Sequence, residues 1–88
     1  MSRVDPARLQ DLTDILEDLG GWSGVDHRGG GTFYLHGKPF LHFHAGRDRR
    51  RADVRSAEGW VEIDLPEPAP PRARRRLLTV LRTEYADR

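Results

Sequence analysis

The tract Pro66-Glu67-Pro68-Ala69-Pro70-Pro71 constrains this chain more than any other stretch. Prolines at this density leave ladder hydrogen bonds unmade in a central strand and clash with the preceding turn inside a helix. The tract therefore reads as an extended connection, with regular structure on either side of it. After it the apolar spacing is helical. Ala73, Leu77, Leu78, Leu81 and Tyr85 form one side of a helix predicted over about Arg72 to Tyr85, with Arg74, Arg75, Arg76 and Arg82 largely outside.

Before the tract the dominant period is two. Gly59 opens Trp60 to Leu65, in which Val61, Ile63 and Leu65 point one way and Trp60, Glu62 and Asp64 the other. Thr32 to His36 and Phe40 to Ala45 read as a hairpin joined through Gly37-Lys38-Pro39. A three-residue loop pairs Leu35 with Leu41 and Phe33 with Phe43, giving one clean apolar face. Tyr34, His36, Phe40, His42 and His44 then share the opposite face. A short strand is expected at Ala52 to Arg55, after the arginine-rich turn Gly46 to Arg51.

The front of the chain reads as a helix from about Pro6 to Leu19. Asp5 is placed to cap it and Pro6 suits its first turn. Leu9, Leu12, Ile15, Leu16 and Leu19 make its apolar stripe, Gly20-Gly21 ends it, and Trp22 is expected against the end of the core. The fold class that follows is α+β. A small antiparallel sheet of three or four strands carries an N-terminal and a C-terminal helix on one face, and residues 1–88 form a single domain. A chain this short has a thin core, so a partner or ligand is expected to add to its stability.

With no cysteine among 88 residues, disulfide scaffolds, zinc–thiolate and iron–sulfur sites and cysteine nucleophiles are excluded together. That is compatible with a reducing cytosol, and a cytoplasmic location is expected. No stretch approaches the roughly 20 apolar residues of a membrane span, and Met1 to Pro6 lacks the apolar segment of a secretory signal. No membrane partner is expected. Fifteen basic and 14 acidic side chains give a net charge of +1, which points to no partner by itself. The first helix is nonetheless acidic and the rear of the chain basic. Gly29-Gly30-Gly31 precedes a strand-like run instead of a helix, so it fails as a phosphate loop and reads as a turn that allows close packing.

Several words in the chain, in consistent order, resemble a bacterial domain family known as the "luciferase domain", whose biochemical function is unknown. They are His27-Arg28-Gly29-Gly30-Gly31-Thr32-Phe33, His42-Phe43-His44-Ala45-Gly46, Ala52-Asp53-Val54, Gly59-Trp60-Val61 and the closing segment Leu77 to Tyr85. The resemblance runs from Trp22 to Tyr85. The chain is short between Asp53 and Gly59, where the family carries a helical insertion with another histidine. The resemblance implies no reaction and no cofactor.

Three chemistries compete for the candidate residues. The favoured reading is a protein-interaction or ligand-binding module, without a cofactor, using Tyr34, His36, Phe40 and Trp60 on the open sheet face; its partner is another protein or a second copy of the chain. The first alternative is a metal-dependent enzyme. His42 and His44, two apart on a strand, with Glu62 or Asp64, would hold zinc or iron and leave a position for water. The second is nucleic-acid binding through two arginine clusters, Arg49, Arg50 and Arg51 and Arg72, Arg74, Arg75 and Arg76, with the aromatic side chains stacking on bases. That alternative requires both clusters on one continuous surface.

Overall fold

A computed structural model describes residues 4–87. The front of the chain opens as a 3-10 segment, Pro6–Leu12, and continues as helix α1, Thr13–Gly20. Asp5 caps the 3-10 segment by accepting the Ala7 N–H at 2.9 Å, and Leu9, Leu12, Ile15 and Leu19 are buried. Five strands follow: β1 (Val25–His27), β2 (Thr32–Leu35), β3 (Lys38–Ala45), β4 (Arg50–Ser56) and β5 (Gly59–Asp64). They form an antiparallel meander in the order β1-β2-β3-β4-β5, so β1 and β5 are its edges. Helix α2, Pro71–Ala86, closes the chain after the proline tract.

Five strands are present where three or four are expected. β1 has three residues and an exposed Asp26-His27 pair, too short and too polar to show a period of two. It pairs with β2 across the glycine loop, with Asp26 opposite Tyr34. Gly29, Gly30 and Gly31 have φ of 73°, 60° and 78°, a left-handed turn that other residues enter only with strain. Gly31 is also a point of close approach, because a Cβ there would lie 3.2 Å from that of Phe43.

The hairpin register differs from the expected one. The β2–β3 turn is the two-residue His36-Gly37, with φ of 52° and 82°, and Leu35 pairs with Lys38. A register shift follows: Tyr34 faces Pro39 and Phe33 faces Leu41, leaving Phe40 as an extra residue. The bulge re-phases the strand, so Phe33, Leu35, Leu41 and Phe43 still share the apolar face. Phe40 itself is 1% exposed and belongs to the core, not to the open face.

Both helical regions lie on that apolar face. α2 packs over β4 and β5, burying Leu77 and Leu81 with Ala52, Val54 and Ile63. The two helical regions also meet through charge, Arg74 with Asp14 and Arg82 with Asp18. Tyr85 donates to the Ser23 carbonyl at 2.7 Å and its ring sits 5.0 Å from Trp22. Among the described residues no helix is long and apolar enough to cross a membrane.

Candidate functional site

The opposite face of the sheet carries three cross-strand rows set by the register. Thr32, His42, Asp53 and Glu62 form the middle row; His44, Arg51 and Asp64 flank it on one side. On the other side lie Asp26, Tyr34, Pro39, Arg55 and Trp60. Each follows from the alternation of its strand, whose intervening residues enter the core.

The middle of the face is a polar network centred on Asp53. Its carboxylate meets the His44 Nε2 at 3.0 Å and accepts from the Arg51 Nε at 2.9 Å. Asp53 therefore holds the orientation of the His44 ring through its Nε2. His42 stands edge-on to His44, with ring centroids 4.3 Å apart. Burial pushes the His42 imidazole below its ordinary pKa, and the neighbouring His44 adds to that push. The Asp53 carboxylate holds the Arg51 guanidinium above its usual value, with a further contribution from Glu62.

The aromatic row is built from stacked pairs. The Arg28 guanidinium lies 4.2 Å from the Tyr34 ring centre and also bonds Asp26 at 3.1 Å. The Arg55 guanidinium lies 5.4 Å from the Trp60 ring centre. Trp60 is the large apolar side chain most open to solvent among the described residues, at 44%. Near the end of β5 an open cleft of about 450 Å³ lies among His44, Arg49, Arg51, Glu62 and Asp64. A second groove, about 460 Å³, lies between the front helical region and the glycine loop, walled by Val4, Leu9, Leu16 and Phe33. His27 stacks on Phe33 there, at 4.3 Å, away from the other histidines.

The structure redistributes the candidate residues. Tyr34 and Trp60 are on the open face, but Phe40 is in the core. His36 occupies the β2–β3 turn, its ring so close to Gly24 that a Cβ there would lie 2.3 Å from the His36 Cε1. His42, His44, Glu62 and Asp64 all share the open face, yet the carboxylate that meets His44 is Asp53. Among the described residues no group of three His, Asp or Glu side chains is arranged to hold a metal ion.

Arg50 does not belong to a surface patch. It is 2% exposed and all its N–H groups find acceptors: the carbonyls of Leu65, Arg8 and Pro66 and both carboxylate oxygens of Asp11, at 2.6 to 3.1 Å. Asp11 also accepts the Ala69 N–H at 2.7 Å. This guanidinium ties the 3-10 segment to β4 and the proline tract. Arg74 is likewise engaged, with Asp14 and the Asp11 carbonyl. The remaining arginines separate: Arg51 is on the open face, Arg49 is in the turn before β4, and Arg72, Arg75 and Arg76 are exposed on a helix that covers the other face.

Asp53 was the site residue that sequence reasoning missed. Its signal was its position in Ala52-Asp53-Val54, a carboxylate between two small apolar residues of a strand; its pairing with His42 required the register. No family model, curated protein or solved structure matches the chain.

Proposed function

We propose that this chain is a binding module that receives a protein or peptide on the uncovered face of its sheet. The observation that supports this reading is the one-sidedness of the layers. Both helical regions pack on one face, and the other carries Trp60 at 44% exposure beside the Arg55 guanidinium. A solvent-facing tryptophan on the edge strand, with a histidine–carboxylate network in the middle of the same face and a half-buried tyrosine two strands beyond its neighbour β4, is the arrangement of an anchor residue beside a polar surround. Among the described residues, the metal-enzyme reading has no convergent ligand set, and the nucleic-acid reading has no single surface joining its two arginine clusters.

The test is selection from a displayed random-peptide library on the intact protein, with counter-screening on Trp60→Ala, Tyr34→Ala and Arg75→Ala. Enriched peptides should lose binding to the first two variants and retain it on the third, whose side chain lies on the helix layer. Enrichment indifferent to Trp60 and Tyr34, or no enrichment at all, overturns the reading.

A further inference from the structure

We infer that strand β5 itself is the docking element, and that its partner is an extended segment carrying Lys or Arg at alternate positions, added as a sixth strand. This rests on the open face being the binding face, and names the chemistry of what binds there.

The phase of the β4–β5 ladder shows which backbone groups are unused. The Leu65 N–H donates to the Arg50 carbonyl at 2.9 Å, so the residues of β5 that bond inward are those of the same parity: Ile63, Val61 and Gly59. Trp60, Glu62 and Asp64 therefore direct their N–H and C=O groups away from β4, towards the open edge. Among the described residues, no loop or helix backbone donates to them or accepts from them. These are the same residues whose side chains stand on the open face, so a strand added here meets their backbone and side chains together. The other edge, β1, has three residues against the six of β5 and offers a much shorter ladder.

Charge decides the occupant. A second copy of the chain is a poor one. Two antiparallel registers keep the open face continuous over most of β5: one sets Glu62 opposite Glu62, the other Trp60 opposite Glu62 with Asp64 against the Ala57-Glu58 turn. The first places carboxylates directly across from one another, where like charges are destabilising, and the second runs Asp64 off the end of the strand. Nucleic acid is repelled by the same exposed carboxylates. A basic strand has the complementary pattern: Lys or Arg opposite Glu62 and Asp64, a long or aromatic side chain over Trp60, and apolar residues at the intervening positions, where Val61 and Ile63 face the core side. The partner is thus an amphipathic extended peptide with one basic and one apolar face.

The probe is a synthetic peptide of about eight residues, long enough to span the strand, alternating Arg or Lys with Val or Thr. Controls replace every basic residue by Glu, or N-methylate the backbone at the residues that would pair. Binding is followed by amide chemical shifts and by hydrogen exchange at Trp60, Glu62 and Asp64. The basic peptide should slow exchange of those amides by about tenfold or more, while the acidic and N-methylated versions bind at least about tenfold more weakly. A Glu62→Lys/Asp64→Lys double variant, verified as folded by circular dichroism, should lose affinity by a similar factor. If N-methylation is harmless and shifts centre on Tyr34 and His42 without protection of β5, the edge proposal is overturned and the open-face reading survives. If neither this peptide nor any library-selected one perturbs the open face, both fall. A peptide-free dimer with β5 protected, or an oligonucleotide that protects β5 where the basic peptide does not, overturns the proposal in favour of that other occupant.

Discussion

At the residue scale, Arg50 governs more of the fold than its single charge implies. A guanidinium in the interior is tolerable only when its donors and its charge are both satisfied, and Asp11 with three carbonyls does this. Removing either charge leaves the other unmatched, so Asp11→Ala and Arg50→Ala should each cost about 3–5 kcal/mol. Urea denaturation measures this. Arg50→Lys should not rescue, because an ammonium cannot span the same acceptors. The Arg50 guanidinium also lowers the Asp11 carboxyl to about 2 from 3.8. A depressed carboxyl stabilises the native state above its unfolded value, so this contribution is complete above pH 3.8 and disappears as pH falls towards about 2. His42 acts in a higher window. Its imidazole is depressed in the folded chain by burial and His44, so protons bind more readily to the unfolded state below its ordinary value of 6.5. Stability should decline as pH falls through that window, and His42→Gln should flatten the decline in a pH series of urea titrations.

At the element scale, turns set what the strands present. The His36-Gly37 turn and the bulge at Phe40 together re-phase β3, which is why an extra aromatic enters the core while the histidines stay outside. Gly24 supports this turn. It has a φ of 84°, its carbonyl accepts the His36 N–H at 2.9 Å, and the His36 ring fills the space where a Cβ would be. Gly24→Ala should cost about 2–3 kcal/mol, of which left-handed backbone strain is about 1–2. Adding His36→Ala removes the steric part alone, so the double variant should recover only partly. A double-mutant cycle in urea reads the difference. The Tyr85 hydroxyl on the Ser23 carbonyl works at longer range, pinning the end of α2 to the loop after α1. Tyr85→Phe should cost about 0.5–1 kcal/mol and speed amide exchange in the last turn of α2.

At the scale of the whole molecule, the described residues have a radius of gyration of 11.9 Å, against about 12 Å for a compact chain of this length. The described residues are therefore packed as closely as a compact chain of this length, and the face of the sheet away from the helices is left uncovered. The acidic front and basic rear are partly matched within the molecule, where Arg74 and Arg82 meet Asp14 and Asp18. On the proposal above, the carboxylates of β5 oppose pairing of its edge with a second copy, as charged side chains commonly do on edge strands. Neutralising them with Glu62→Gln/Asp64→Asn should raise self-association, read as a shift to earlier elution in size exclusion that grows with protein concentration.

The amino-acid order alone determined what depends on neighbours along the chain. The proline tract separates sheet from helix, Asp5 and Pro6 start the front helical region, and the alternation Trp60 to Leu65 assigns each side chain of β5 to a face. Such features rest on local sterics and on burying apolar stripes, which sequence spacing expresses directly. The tertiary structure decided what depends on register and on distant partners. A one-residue bulge moved Phe40 inside, a three-residue strand became an edge, and Asp53 joined His44 across two strands. Arg50 reads as one arginine in a basic run until Asp11, 39 residues away, is folded against it. Long-range pairing energies of this kind leave no periodic trace in the sequence, so only the assembled sheet reveals which charges are structural and which are free to bind.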